Sequence, residues 1–156
     1  MELKTLRPDG LLKDVSDNFT TIARSFKGEV AAVIEPPTAP ATTVEVPVRS
    51  GLVIIPDDGD GGPLAMTLLD PSEGEDGQVL TFYTVKAEEH TLTLYGLDSE
   101  GDPAASKGFN GGANDTATWD GGSGDVAVGD MLQLVAYDGA WYVLGNVNVT
   151  LSASGG

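Results

Sequence analysis

Two runs of alternating residues meet at Asp138-Gly139: Met131-Leu132-Gln133-Leu134-Val135-Ala136-Tyr137 before it and Ala140-Trp141-Tyr142-Val143-Leu144 after it. Asp-Gly between such runs is the preferred composition for a two-residue hairpin turn, because both residues tolerate positive φ. This pairing commits the C-terminal third to antiparallel β-structure, and the residues upstream carry the same signature. Val44-Glu45-Val46-Pro47-Val48 alternates, with Pro47 confining it to an edge or a strand start. Leu52-Val53-Ile54-Ile55 reads as a short buried strand, and Leu64 to Leu69 as the next. Val79 to Val85 and His90 to Tyr95, both rich in β-branched and aromatic residues, read as a second hairpin pair. Asn146 to Leu151 supplies a terminal strand, after which Ser152 to Gly156 should fray. Short strands with Gly-rich turns between them predict a compact antiparallel β-sandwich or small barrel over residues 44–156.

The first segment has a different period. After Pro8-Asp9-Gly10 come Leu11, Leu12, Val15, Phe19, Ile22 and Phe26, and the last four are spaced four, three and four. That spacing lays one apolar stripe along a helix, with Asp9 placed to cap its start and Gly28 to stop it. An isolated helix of this length is marginal in water, so the stripe must be buried. It can pack on the chain's own β-domain, on sister helices around a symmetry axis, or on a host lattice. Between helix and strands, Glu35-Pro36-Pro37-Thr38-Ala39-Pro40-Ala41-Thr42-Thr43 has no core-forming side chain and reads as an extended, semi-rigid spacer. The expected organisation is a helical attachment or oligomerisation segment at 1–34, a Pro-rich linker at 35–43 and an acidic β-domain at 44–156.

Charge divides the chain along the same line. Residues 1–50 hold seven acidic and six basic side chains; residues 51–156 hold seventeen acidic ones against Lys86 and Lys107. A surface this anionic repels phosphate backbones, so direct nucleic-acid binding is not expected. No signal peptide and no membrane-spanning run is recognisable, which predicts a protein made and folded in a cytoplasm, without membrane contact. The Asn-x-Thr triplets at Asn18, Asn114 and Asn148 are then chance matches.

Chemistry-bearing patterns are sparse. With no Cys and His90 as the only His, zinc is not expected. His90 follows Glu88-Glu89 and reads as a surface His beside carboxylates; no nucleophile-elbow pattern accompanies it. Three stretches imitate calcium loops. Asp57-Asp58-Gly59-Asp60-Gly61-Gly62 lacks the distal Glu, Asp98-Ser99-Glu100-Gly101-Asp102 is followed by Pro103, and Gly121-Gly122-Ser123-Gly124-Asp125 occurs once where a β-roll needs several copies. Each reads as a turn. Trp119, Tyr137, Trp141 and Tyr142 could form a sugar-stacking platform, but Trp141 and Tyr142 are adjacent on one strand, so one of them faces the core. No catalytic residue, cofactor site or metal site is expected, and the chain reads as a non-enzyme.

Gly77-Gln78-Val79-Leu80-Thr81-Phe82, His90-Thr91-Leu92-Thr93-Leu94 and the run from Gly129 to Leu144 resemble a small β-module of tailed-bacteriophage virion proteins: head decoration (cement) proteins, head fibres and fibre tips. The resemblance covers roughly residues 51–151 and rests on patterned hairpins, while residues 1–50 resemble nothing nameable. It implies a homotrimer whose N-terminal part contacts the major capsid protein while the β-domain projects from the capsid surface of the virion. Under that reading Leu11, Leu12, Val15, Phe19, Ile22 and Phe26 form the oligomer or capsid interface. The alternative is a tail or head fibre tip that binds host-surface carbohydrate.

Overall fold

The computed structural model describes residues 32–33, 43–56, 62–85, 87–119 and 128–154. The helix expected over Leu11 to Phe26 and the Pro-rich stretch at 35–42 lie outside the described residues. Eleven strands follow one another: β1 (Ala32–Val33), β2 (Val44–Val46), β3 (Gly51–Ile55), β4 (Ala65–Leu69), β5 (Val79–Thr84), β6 (Thr91–Leu97), β7 (Pro103–Ala104), β8 (Thr116–Thr118), β9 (Met131–Tyr137), β10 (Ala140–Val147) and β11 (Thr150–Ser152). They form two sheets, ordered β1-β3-β5-β9-β10 and β11-β8-β6-β4-β2, with β7 joined to β6.

The chain is mainly β, and its two sheets face each other like a sandwich, but both are mixed and not antiparallel as expected. From β1 to β6 each strand enters the sheet opposite to the one before it. Hence β1, β3 and β5 pair in parallel, as do β2, β4 and β6. Parallel neighbours need a crossover, and here the crossover is a strand of the other sheet rather than a helix. The second half doubles back: β8 lies antiparallel to β6, β9 to β5, β10 to β9 and β11 to β8. Consequently β5 and β6, expected as a hairpin, sit in different sheets. Alternation tells which side chains share a face, but it is equally satisfied by a hairpin and by a coil with two strands to the turn.

The hairpin at Asp138-Gly139 forms as expected, with φ of 50° and 70° at the two turn residues. Between the sheets lies one core. Val53, Ile55, Leu80, Phe82, Leu132, Leu134 and Trp141 from one side meet Val46, Met66, Leu68, Leu92, Leu94 and Ala117 from the other. Phe82 and Trp119 touch with ring centroids 6.0 Å apart. Burying each large apolar side chain contributes roughly 1.5–3 kcal/mol, so this layer carries the fold. The expected all-buried run at β3 is corrected: Val53 and Ile55 are fully buried, whereas Leu52 and Ile54 point outward and are only partly covered. The tail is also better held than expected. Ser152 pairs with Thr116, and the Ser154 hydroxyl donates to Asp115 at 2.6 Å.

Candidate functional site

Four groups of side chains could carry chemistry. The first is a cleft of about 330 Å³ lined by Leu69, Asp70, Pro71, Ser72, Gly96, Leu97, Ala105, Lys107 and Gly139. Its polar groups are engaged with one another. The Asp70 carboxylate accepts from the Ser106 hydroxyl and from the Lys107 amide, each at 2.7 Å. The Lys107 ammonium donates to the Asp138 carbonyl at 3.2 Å and so ties this wall to the hairpin turn. Gly96 permits the close approach: a Cβ there would stand 2.7 Å from the Ala105 carbonyl oxygen. The cleft is thus a well-tied seam between loops.

His90 is not the surface residue expected. It is fully buried, and its Nδ1 accepts a hydrogen bond from the Leu64 amide at 3.0 Å. In a Ser-His-Asp triad the same nitrogen must carry a proton and donate it to a carboxylate, which is the opposite polarity. Here the ring pins the start of β4 to the start of β6, two strands that pair in parallel. The sequence signal misled because Glu88 and Glu89 precede His90 in the chain but do not follow it into the interior.

Of the calcium look-alikes, residues 57–61 and 121–125 lie outside the described residues. Asp98, Glu100 and Asp102 do bring one carboxylate oxygen each to within 4.8 Å of the others, all exposed. Asp98 Oδ1 is already accepting from the amides of Glu100 and Asp102, at 2.9 and 3.0 Å. Those backbone donors, foremost the one from Asp102, hold its carboxyl below the usual carboxylate range. The arrangement closes a turn.

The aromatic residues separate by burial. Trp119 and Trp141 are fully buried, and the Trp141 indole donates to the Leu69 carbonyl at 2.9 Å. Tyr137 remains 62% exposed and meets the partly buried Tyr142 edge-on, with centroids 5.9 Å apart. The pair presents a ring edge against a ring face and not two coplanar faces. The stripe residues Leu11, Leu12, Val15, Phe19, Ile22 and Phe26 lie outside the described residues. Comparison with protein-family models finds no match, and neither does comparison with curated proteins or with solved structures.

Proposed function

We propose that the chain is a non-enzymatic structural component of a tailed-phage particle, decorating or stabilising the capsid as a homo-oligomer, with a trimer as the favoured form. The N-terminal helix and Pro-rich arm face the major capsid protein, and the anionic β-domain faces water on the virion surface. The observation that carries this reading is the placement of charge. Across the eleven strands of the described residues only Glu45 is charged, so the carboxylates of those residues are otherwise confined to the connections between strands. Uncharged sheets edged by anionic loops suit a building block that repels its neighbours except along chosen contacts. The hairpin resemblance and the self-satisfied polar groups of the cleft point the same way, and multivalent attachment at lattice axes would multiply weak contacts.

The test uses the purified full chain. Light scattering should give a multiple of the chain mass, and sedimentation with expanded capsids stripped of decoration should carry the protein into the pellet at saturable stoichiometry. A monomeric mass together with no capsid binding would remove the reading. The second reading, a fibre tip binding host-surface carbohydrate, has exposed Tyr137 beside Tyr142 in its favour. A glycan array that lights up with the native chain and darkens with Tyr137→Ala would select it.

A further inference from the structure

On the outside of the first sheet, the paired strands set up three cross-strand rows. Val79, Val135 and Tyr142 form one; Leu52, Thr81, Gln133 and Gly145 the next; Ile54, Tyr83, Met131 and Val147 the third. Strands β3, β5, β9 and β10 contain no Asp, Glu, Lys or Arg at any position. Tyr83 is 38% and Val147 46% exposed, and Leu144, at the bulge in β10, is 57% exposed. The inner side of this sheet is covered by the other sheet, and the one described strand outside the two, β7, is joined to β6 of the other sheet. A sheet buries its apolar face under a second layer. Among the described residues this outer face, apolar around a hydrogen-bonded Thr81–Gln133 pair, has no such layer beyond its β10 end, where the turn at Asn110 and Gly111 meets Val143 and Tyr142.

We infer that the outer face of the β1-β3-β5-β9-β10 sheet is the seat of the chain's own first segment, laid across it through Leu11, Leu12, Val15, Phe19, Ile22 and Phe26. Three observations select this occupant. The first is where the chain enters the fold. β1 begins at Ala32 and pairs with β3 at the edge of this same sheet, not of the other one. Four steps of chain separate Gly28 from Ala32 and reach about 13 Å when extended, enough to climb the roughly 10 Å that separates one packed layer from the next. The second is size. As a helix, Val15 to Phe26 spans roughly 16 Å, and the four strands from β3 to β10 span about 14 Å from first to last. The third is charge. Residues 1–31 hold five acidic and five basic side chains, while residues 32–156 hold nineteen acidic and three basic ones, a balance of −16. A neutral segment approaches the uncharged face without the repulsion that a second anionic β-domain would meet.

This inference does not depend on the particle reading, and it moves Leu11, Leu12, Val15, Phe19, Ile22 and Phe26 from the oligomer or capsid interface implied by the resemblance to a seat within the subunit. It uses the stripe within the subunit and leaves the segment's polar flank, including Lys13, Arg24 and Lys27, for contacts between subunits or with a lattice.

Because the chain has no Cys, cysteine pairs report cleanly. In the full chain, Phe19→Cys with Tyr83→Cys, treated with a short bismaleimide, should join within one chain at least about tenfold faster than Phe19→Cys with Thr93→Cys on the opposite outer face. Adding Val135→Asp, on the seat but pointing away from the core, should abolish that preference while the far-ultraviolet β-signal is kept. Equal rates for the two pairs overturn the inference. So does a preference that survives Val135→Asp, since tethering alone would then explain it. Joining only between chains also overturns it and assigns the face to a second copy. Capsid sedimentation of the same variants reads the particle role separately.

Discussion

Outside the β11-β8-β6-β4-β2 sheet, Thr91 pairs with Thr118, which pairs with Thr150, and Thr67 pairs with Thr93, which pairs with Thr116, with Leu69 and Tyr95 as a pair beside them. At the corresponding outward positions of the other sheet stand Leu52, Ile54, Val79, Tyr83, Met131 and Val135, around a Thr81–Gln133 pair joined by a 3.0 Å hydrogen bond. Threonine meets the β-branched preference of a strand and keeps a hydroxyl for water, so that face can remain wet. The aliphatic and aromatic face has the same backbone and loses roughly 25 cal/mol for each Å² of apolar surface left in water. One face is finished by its own side chains. The other is finished only by a further layer.

The comparison has a common reference in the core shared by both sheets. Phe82→Ala, inside both faces, should cost about 3–5 kcal/mol by urea unfolding, the largest effect expected in the molecule. The two outer faces should then diverge. In the full chain Val135→Asp should cost about 1–2 kcal/mol, because it places a carboxylate where apolar area is covered. Thr93→Asp should stay within about 0.5 kcal/mol. Equal costs at the two positions would break the distinction between dry and wet faces.

A smaller effect belongs to the hairpin of β9 and β10, which supplies one edge of the first sheet. Gly139 sits at φ 70°, and a Cβ there would run into the Lys107 ammonium, so Gly139→Ala should cost about 1 kcal/mol in the same assay. The smallest test is electrostatic and belongs to the wet face. The Tyr95 hydroxyl donates to Glu45 at 2.7 Å, and that bond, with lesser help from burial, pushes the phenol up to about 12 from its ordinary 10.0. The folded state therefore favours the protonated phenol. Its contribution is fully present below pH 10 and is lost as pH rises from there through about 12. Spectroscopic titration of the tyrosines should show this late ionisation, and Glu45→Gln should move it back toward the ordinary range.

Several features were legible in the residues because they are local. The Asp138-Gly139 hairpin follows from turn chemistry confined to two positions. That Leu92 and Leu94 of β6 share one face and Thr91, Thr93 and Tyr95 the other follows from period-two alternation. That one of Trp141 and Tyr142 faces the core follows from their adjacency, and the structure makes it Trp141. Other features were not legible because they depend on partners distant in the chain. Nothing near His90 announces that the Leu64 amide, 26 residues earlier, occupies its Nδ1. The Asp70–Ser106–Lys107 seam joins groups 36 and 37 residues apart, none of which stands out by type.

By itself the sequence determined that the described residues from 44 onward are mainly short strands, which side chains of an alternating strand share a face, and that charge, Glu45 apart, falls outside those strands. These are consequences of backbone geometry and of the cost of burying charge, and both act residue by residue. Tertiary structure alone decided that successive strands alternate between sheets, so that β5 and β6 separate and parallel pairs arise. It also decided which face of each sheet turns inward, and hence that Leu52 and Ile54 look outward while Val53 and Ile55 do not. The physical reason is that a strand satisfies its hydrogen bonds equally well with any neighbour in register; which neighbour it takes is set by how the whole chain closes around one core.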